Sequence, residues 1–230
     1  MKRQGFTLVE LLVCIAIIML LIALLMPLIG AMRDNAKRVV CTSNLRQLSI
    51  LWLAYIQDFG GSFPTKGNSV QTYHDIWGKR GVEYGTPAER RLFGIVFPNV
   101  DVKIYQCPAD SGAVAAGWPW NRLPTVHHHL GYSYMFNTSA SNNNDAQGLF
   151  RKKVGSIRNP SMVVAAGDYS FSCAYFVGRN PFHYAYWHHR RELGWGNVLF
   201  VDGSVQYKKI PDVAHFQQGP GYTFFWDGPR

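Results

Sequence analysis

Polarity divides the chain before any motif does. Positions 11–32 hold no Asp, Glu, Lys, Arg or His, and about 20 helical residues are enough to cross the hydrocarbon core of a bilayer. The run predicts a membrane-spanning helix. Beyond it, Cys41, Leu45, Leu48, Trp52 and Tyr55 recur at alternating steps of four and three, which puts them on one face of an amphipathic helix over 33–58. Arg38, Arg46 and Gln47 fall off that face, so this stem is expected to lay its apolar stripe on a sheet. Gly60-Gly61 is a helix stop.

From residue 59 onward the periodicity weakens. Between 62 and 150, Pro, Gly, Trp and Asn interrupt short apolar pieces, a pattern of loops with a few short helices or strands. The stretch 139–147, with Asn142-Asn143-Asn144-Asp145, reads as a polar loop, and Trp118-Pro119-Trp120 is expected to cover a small core rather than form a binding platform. Strand character appears from 161. Residues 162–168 form a short apolar run closed by a turn former, as in a buried strand. Residues 197–201 and 204–208 flank Asp202-Gly203, which predicts a hairpin with a two-residue turn. The expected fold is α+β, a long N-terminal helix packed on a mainly antiparallel β-sheet.

The start of the chain is unlike an ordinary secretory signal, whose small-residue cleavage site follows the apolar run. Here Gly5 stands before the run, with Lys2 and Arg3 ahead of it. A cut at Gly5 removes residues 1–5 and leaves the helix on the mature protein. Glu10 is the other anomaly, because a carboxylate inside an apolar helix costs about 2.5–3.5 kcal/mol on insertion scales and calls for a partner.

The order Lys2-Arg3-Gln4-Gly5-Phe6-Thr7-Leu8-Val9-Glu10, followed by a long apolar helix, resembles the leader and cleavage site of type IV prepilins and type II secretion pseudopilins. The resemblance implies a prepilin peptidase that cuts between Gly5 and Phe6 and methylates the new Phe6 amine. It also implies that Glu10 faces the Phe6 amine of a neighbouring subunit during assembly, and Pro27 stands where these families often loosen the helix. The implied division is a leader (1–5), a transmembrane assembly helix (6–32), an amphipathic stem (33–58) and an exported pilin-like domain (59–230). The stretch Cys41-Thr42-Ser43-Asn44-Leu45-Arg46-Gln47-Leu48, then Cys107-Pro108-Ala109-Asp110 and the Tyr-rich 131–137 ending in Asn137, is similar to one bacterial branch of these proteins. That branch carries a His, nine residues, then Asp-Gly. In this chain residues 190–201 separate His189 from Asp202, and Glu192 takes the place of the expected His, so Arg190-Arg191-Glu192 reads as an insertion.

A net charge of +9 attracts polyanions without choosing among them, and no dense Lys/Arg arm supports nucleic acid or glycan as a ligand. Of the four cysteines, Cys14 lies in the apolar helix; one disulfide is expected among Cys41, Cys107 and Cys173 in an oxidising compartment, with Cys41 to Cys107 our choice and the other pairings open. No Cys/His spacing marks a zinc or haem site. His127-His128-His129 and His188-His189 hold ligand-type side chains; strand neighbours point to opposite faces, so a shared ion would have to sit between the two clusters in space. Asp168, Asp202 and Asp227 are the candidate calcium ligands; they do not have the spacing of a calcium loop, and calcium stays open. Gly-x-Ser-x-Gly, His-Glu-x-x-His and a phosphate loop are all missing, although Asp168 with His189 can be drawn as an acid/base pair.

The sequence therefore points to a non-enzymatic structural subunit without cofactor or metal. Its implied partners are a prepilin peptidase, other pilin or pseudopilin subunits, and the bacterial inner membrane, which it spans once with the C-terminal domain periplasmic or on a filament. Two alternatives remain: a non-polymerising anchored module that binds glycan or nucleic acid, and an anchored hydrolase or metalloenzyme.

Overall fold

The computed structural model describes residues 7–64, 78, 88–112, 114–115, 125–137, 148–149, 152–169, 183–184, 187–188, 195–209, 218–219 and 222–223. Several sequence features lie outside them: Gly5, Phe6, the 118–120 aromatics, the 139–147 loop, Cys173, His189, the 190–192 stretch and Asp227. The chain forms two compact units, Met1–Ala36 and Lys37–Arg230.

Helix α1, Leu8–Asp58, runs through both. In its first part the large apolar side chains from Leu8 to Met32 are exposed, as expected of a surface that water does not normally meet. Among the described residues α1 alone is long and apolar enough to cross a membrane. The helix stops as the glycines predict. Gly61 N–H donates to the Ile56 carbonyl at 2.7 Å, and Gly60 sits at φ 66°, the left-handed conformation that glycine adopts without a Cβ clash.

In the second unit the stem buries Cys41, Asn44, Leu45, Leu48, Ser49, Trp52, Tyr55 and Ile56. Its counterpart is a four-stranded antiparallel sheet made of β2 (Tyr134–Phe136), β3 (Val164–Asp168), β5 (Trp195–Phe200) and β6 (Val205–Lys209), joined in that order. The short pairs β1 (Val114–Ala115) with β4 (His183–Tyr184) and β7 (Gln218–Gly219) with β8 (Tyr222–Thr223) form separate two-stranded sheets, the second linked to the start of β3 by a parallel bridge between Thr223 and Val163. The central strands β3 and β5 are almost wholly buried, which is why their sequences read as continuous apolar runs rather than alternating ones. Trp52 is the hub of the core, with ring centroids 4.2 Å from Phe136, 5.1 Å from Phe63 and 5.9 Å from Phe93. Phe93 comes from α2 (Leu92–Val96).

Two local expectations change. The β5–β6 connection is not a two-residue turn: Phe200 N–H donates to the Ser204 carbonyl and Gly203 N–H to the Phe200 carbonyl, so Val201, Asp202 and Gly203 form a three-residue loop with Gly203 at φ 85°. A type I turn followed by a left-handed glycine matches the twist of the strands as well as the two-residue form does. The second change concerns 127–129. These histidines lie in a short helix, α3 (Val126–Leu130), not in a strand; Thr125 caps its start by accepting from His128 N–H, and Gly131 at φ 88° ends it.

Candidate functional site

The described part of the N-terminal segment begins with Thr7. Its hydroxyl and backbone N–H both donate to Glu10 Oε2, at 2.7 and 2.8 Å, while Glu10 N–H donates back to Thr7 Oγ1 at 3.3 Å. This is a capping box. A Thr-x-x-Glu order directly before an apolar run is its sequence signature, and Thr7-Leu8-Val9-Glu10 displays it in full, although the family resemblance assigns Glu10 only a partner on another subunit. The carboxylate thus has donors within its own chain before any neighbour arrives.

A second group of chemically active side chains lies inside the Lys37–Arg230 unit. Cys41 on the stem is joined by a disulfide to Cys107, with a Cα–Cα distance of 5.2 Å, and both residues are buried. Against this bridge lies His188, whose Nε2 is 3.4 Å from Cys107 Sγ and 3.0 Å from Asp168 Oδ2. The side chains of Asp168 and His188 are completely buried; the partial exposure of His188 therefore belongs to its backbone. Asp168 Oδ2 also accepts from Asn197 N–H at 2.6 Å and from Asn197 Nδ2 at 2.9 Å. Asn197 is oriented in turn by Thr42 on the stem, whose hydroxyl lies 3.0 Å from Asn197 Oδ1.

Five distant stretches meet here because the topology brings them together. The stem supplies Cys41 and Thr42, the segment after the 3-10 turn Val102–Tyr105 supplies Cys107, the end of β3 supplies Asp168, β5 supplies Asn197, and the stretch 187–188 between β4 and β5 supplies His188. The histidine that reaches the group is His188; His189, singled out from the sequence, lies outside the described residues. Between adjacent histidines, spacing to Asp202 could not choose. Asp168 does meet a histidine; Asp227, grouped with it as a calcium candidate, lies outside the described residues. Asp202 has a different job, accepting from Ser204 N–H and Oγ at 2.9 and 2.7 Å, which is turn chemistry. Among the described residues, Cys41, Cys107, Asp168 and His188 form the only cluster of three or more metal-capable side chains.

Asp110, from the Cys-Pro-x-Asp stretch, braces the segment that carries Cys107. Its Oδ1 accepts from Gly112 and Val126 N–H at 3.0 and 2.9 Å, and its Oδ2 accepts from His127 N–H and Ser133 Oγ at 2.8 and 2.7 Å. Burial pushes the Asp110 carboxyl above the usual range, and these four donors pull it back. In Asp110→Asn the amide NH2 must face at least one of these N–H donors, so we expect a loss of about 1–3 kcal/mol, the range for a buried donor left unsatisfied. Urea unfolding of the detergent-solubilised chain measures it, and an unchanged midpoint would contradict the bracing role.

The fold is α+β and pilin-like, a long N-terminal helix with a four-stranded antiparallel sheet. Residues 1–26 match the family model described as the prokaryotic N-terminal methylation motif. The chain is thus type IV prepilin-like at its N-terminus, and motif and apolar helix together are consistent with a membrane-anchored, single-pass protein. No curated protein and no solved structure matches the chain.

Proposed function

We propose that this chain is a structural subunit of a pilin-type filament, of the type IV pilus or type II secretion kind. A prepilin peptidase cuts between Gly5 and Phe6 and methylates the Phe6 amine. The mature protein then waits in the inner membrane with its C-terminal domain exported, and joins other subunits through the 6–32 helix. The observation that carries this reading is the methylation motif over residues 1–26 leading into a helix whose apolar side chains from Leu8 to Met32 are exposed. Such a surface is stable only in lipid or against like helices. Glu10 then exchanges its hydrogen bonds from Thr7 for the amine of an adjoining Phe6.

A catalytic role is not part of the proposal. Asp168 and His188, an acid/base pair that the geometry brings into contact, have fully buried side chains.

N-terminal peptide mass spectrometry of the protein from its native membrane tests the proposal. The expected mature start is N-methylated Phe6; a start at Met1 in cells with an active prepilin peptidase sinks it. Glu10→Val separates assembly from anchoring, since the variant is expected to insert in the membrane and yet be lost from filaments. A variant that assembles normally would remove Glu10 from the mechanism.

A further inference from the structure

The filament reading gives no work to Asp168 and His188. A disulfide that served only as a staple would sit well among apolar side chains, whereas a buried carboxylate and imidazole carry a desolvation penalty. Four potential ligand atoms, the Cys41 and Cys107 sulfurs, a carboxylate oxygen of Asp168 and a ring nitrogen of His188, all lie within 4.8 Å of one another. In the same residues, Asp168 Oδ1 and His188 Nδ1 are buried with no hydrogen-bond partner among the described residues. An oxygen in that state is open to a cation.

We propose that this cluster is a redox-controlled zinc site: when a dithiol opens the Cys41–Cys107 bridge, the two thiolates, His188 Nε2 and Asp168 hold one Zn2+. The electrons balance through the reductant, a dithiol that gives two electrons and closes to its own disulfide, leaving two thiols on the protein. Zinc then takes both sulfurs as thiolates, and two protons leave to solvent. His188 binds as neutral imidazole through Nε2, and Nδ1, which has no hydrogen-bond partner among the described residues, carries the ring proton.

A local opening admits the dithiol and the ion, and two of the ligand distances already lie near those of a zinc tetrahedron. Zinc–sulfur bonds of about 2.3 Å and zinc–nitrogen or zinc–oxygen bonds of about 2.0–2.2 Å in a tetrahedron put ligand atoms roughly 3.3–3.8 Å apart. His188 Nε2 already stands 3.0 Å from Asp168 Oδ2 and 3.4 Å from Cys107 Sγ. The sulfurs must separate from bonding distance, and the other ligand pairs start within 4.8 Å of one another. A second layer of support is in place, because Asn197 holds the carboxylate with two donors and Thr42 holds Asn197, the kind of outer contact that orients metal ligands. Sulfur ligands disfavour calcium and magnesium, and a mixed sulfur, nitrogen and oxygen tetrahedron suits zinc. Disulfide and zinc are then alternative cross-links between the stem and the sheet.

The test uses the full chain in detergent, with Cys14→Ser and Cys173→Ser so that one cysteine pair remains. The oxidised and the dithiothreitol-reduced, desalted forms are each offered Zn2+ alone and, separately, Co2+, whose thiolate charge-transfer and tetrahedral ligand-field bands report sulfur coordination. We expect one zinc per reduced chain, none per oxidised chain, and affinity at least tenfold weaker in His188→Gln and in Asp168→Asn. The folding of each variant is checked in the oxidised form by near-ultraviolet circular dichroism, where the disulfide holds the unit together. Three results overturn the proposal: a reduced, folded chain that takes up no zinc; equal uptake by both redox forms; or a reduced chain whose dichroism is lost and not restored by zinc.

Discussion

Trp52→Ala is expected to destabilise the Lys37–Arg230 unit by about 3–5 kcal/mol, the range for removing a large aromatic side chain from a core. Trp52 is 2 % exposed and its ring meets Phe63, Phe93 and Phe136, so truncation leaves a cavity bounded by three segments that cannot all collapse into it. The loss combines the missing transfer energy with that unfilled space. For a unit of this size it corresponds to a fall in Tm of roughly 6–20 °C. Ile50, on the same helix but 66 % exposed, supplies the control, and Ile50→Ala should stay within about 0.5 kcal/mol. Urea midpoints for the two variants in detergent decide the matter. If they are equal, the stem is not part of the core.

Replacing both bridge cysteines, Cys41→Ser with Cys107→Ser, should cost about 4 kcal/mol, because the bridge closes a loop with a sequence separation of 66 and the chain-entropy relation gives that magnitude. The mechanism acts on the unfolded ensemble, which loses conformations when two distant points are tied. A second readout follows. Without the bridge the denatured chain exposes more surface, so the slope of stability against urea should steepen as well as the midpoint fall. A fall in midpoint with an unchanged slope would shift the explanation to weaker packing around His188 in the folded state. A loss under about 1 kcal/mol would mean that the stem is held by its apolar stripe alone.

Those two variants probe features that differ in how they are written in the sequence. The stripe Cys41, Leu45, Leu48, Trp52, Tyr55 is legible because a helix repeats its buried face locally, and the structure adds only Asn44, Ser49 and Ile56 to it. The β5–β6 hairpin is legible through Asp202-Gly203, but its loop length is not, since Asp-Gly serves both the two-residue turn and the longer loop with a left-handed glycine. The Thr7–Glu10 capping box and the α3 helix are legible in principle. Thr-x-x-Glu before an apolar run and Thr125 ahead of residues 126–130 are start signals, and each is masked, one by the lipid environment expected of Glu10 and the other by the repeated histidine. The Asp168–His188 cluster is of another kind. Residues 41, 107, 168, 188 and 197 share no period or spacing, and only the pairing of β3 with β5 and the stem laid across them brings the five together.

The position of Cys41 has a mechanical consequence. It is the first fully buried residue of α1 from the N-terminal side, so tension drawn along the helix from that side arrives at a covalent bond before it arrives at Leu45, Leu48 or Trp52. The bridge diverts the load into the Cys107 segment, which Asp110 ties to α3 through backbone donors. The apolar stripe beyond residue 41 is thereby relieved of tension rather than peeled away turn by turn. A stretched chain would lengthen first between its N-terminus and Cys41, and the Lys37–Arg230 unit would keep its shape until the bridge was opened chemically.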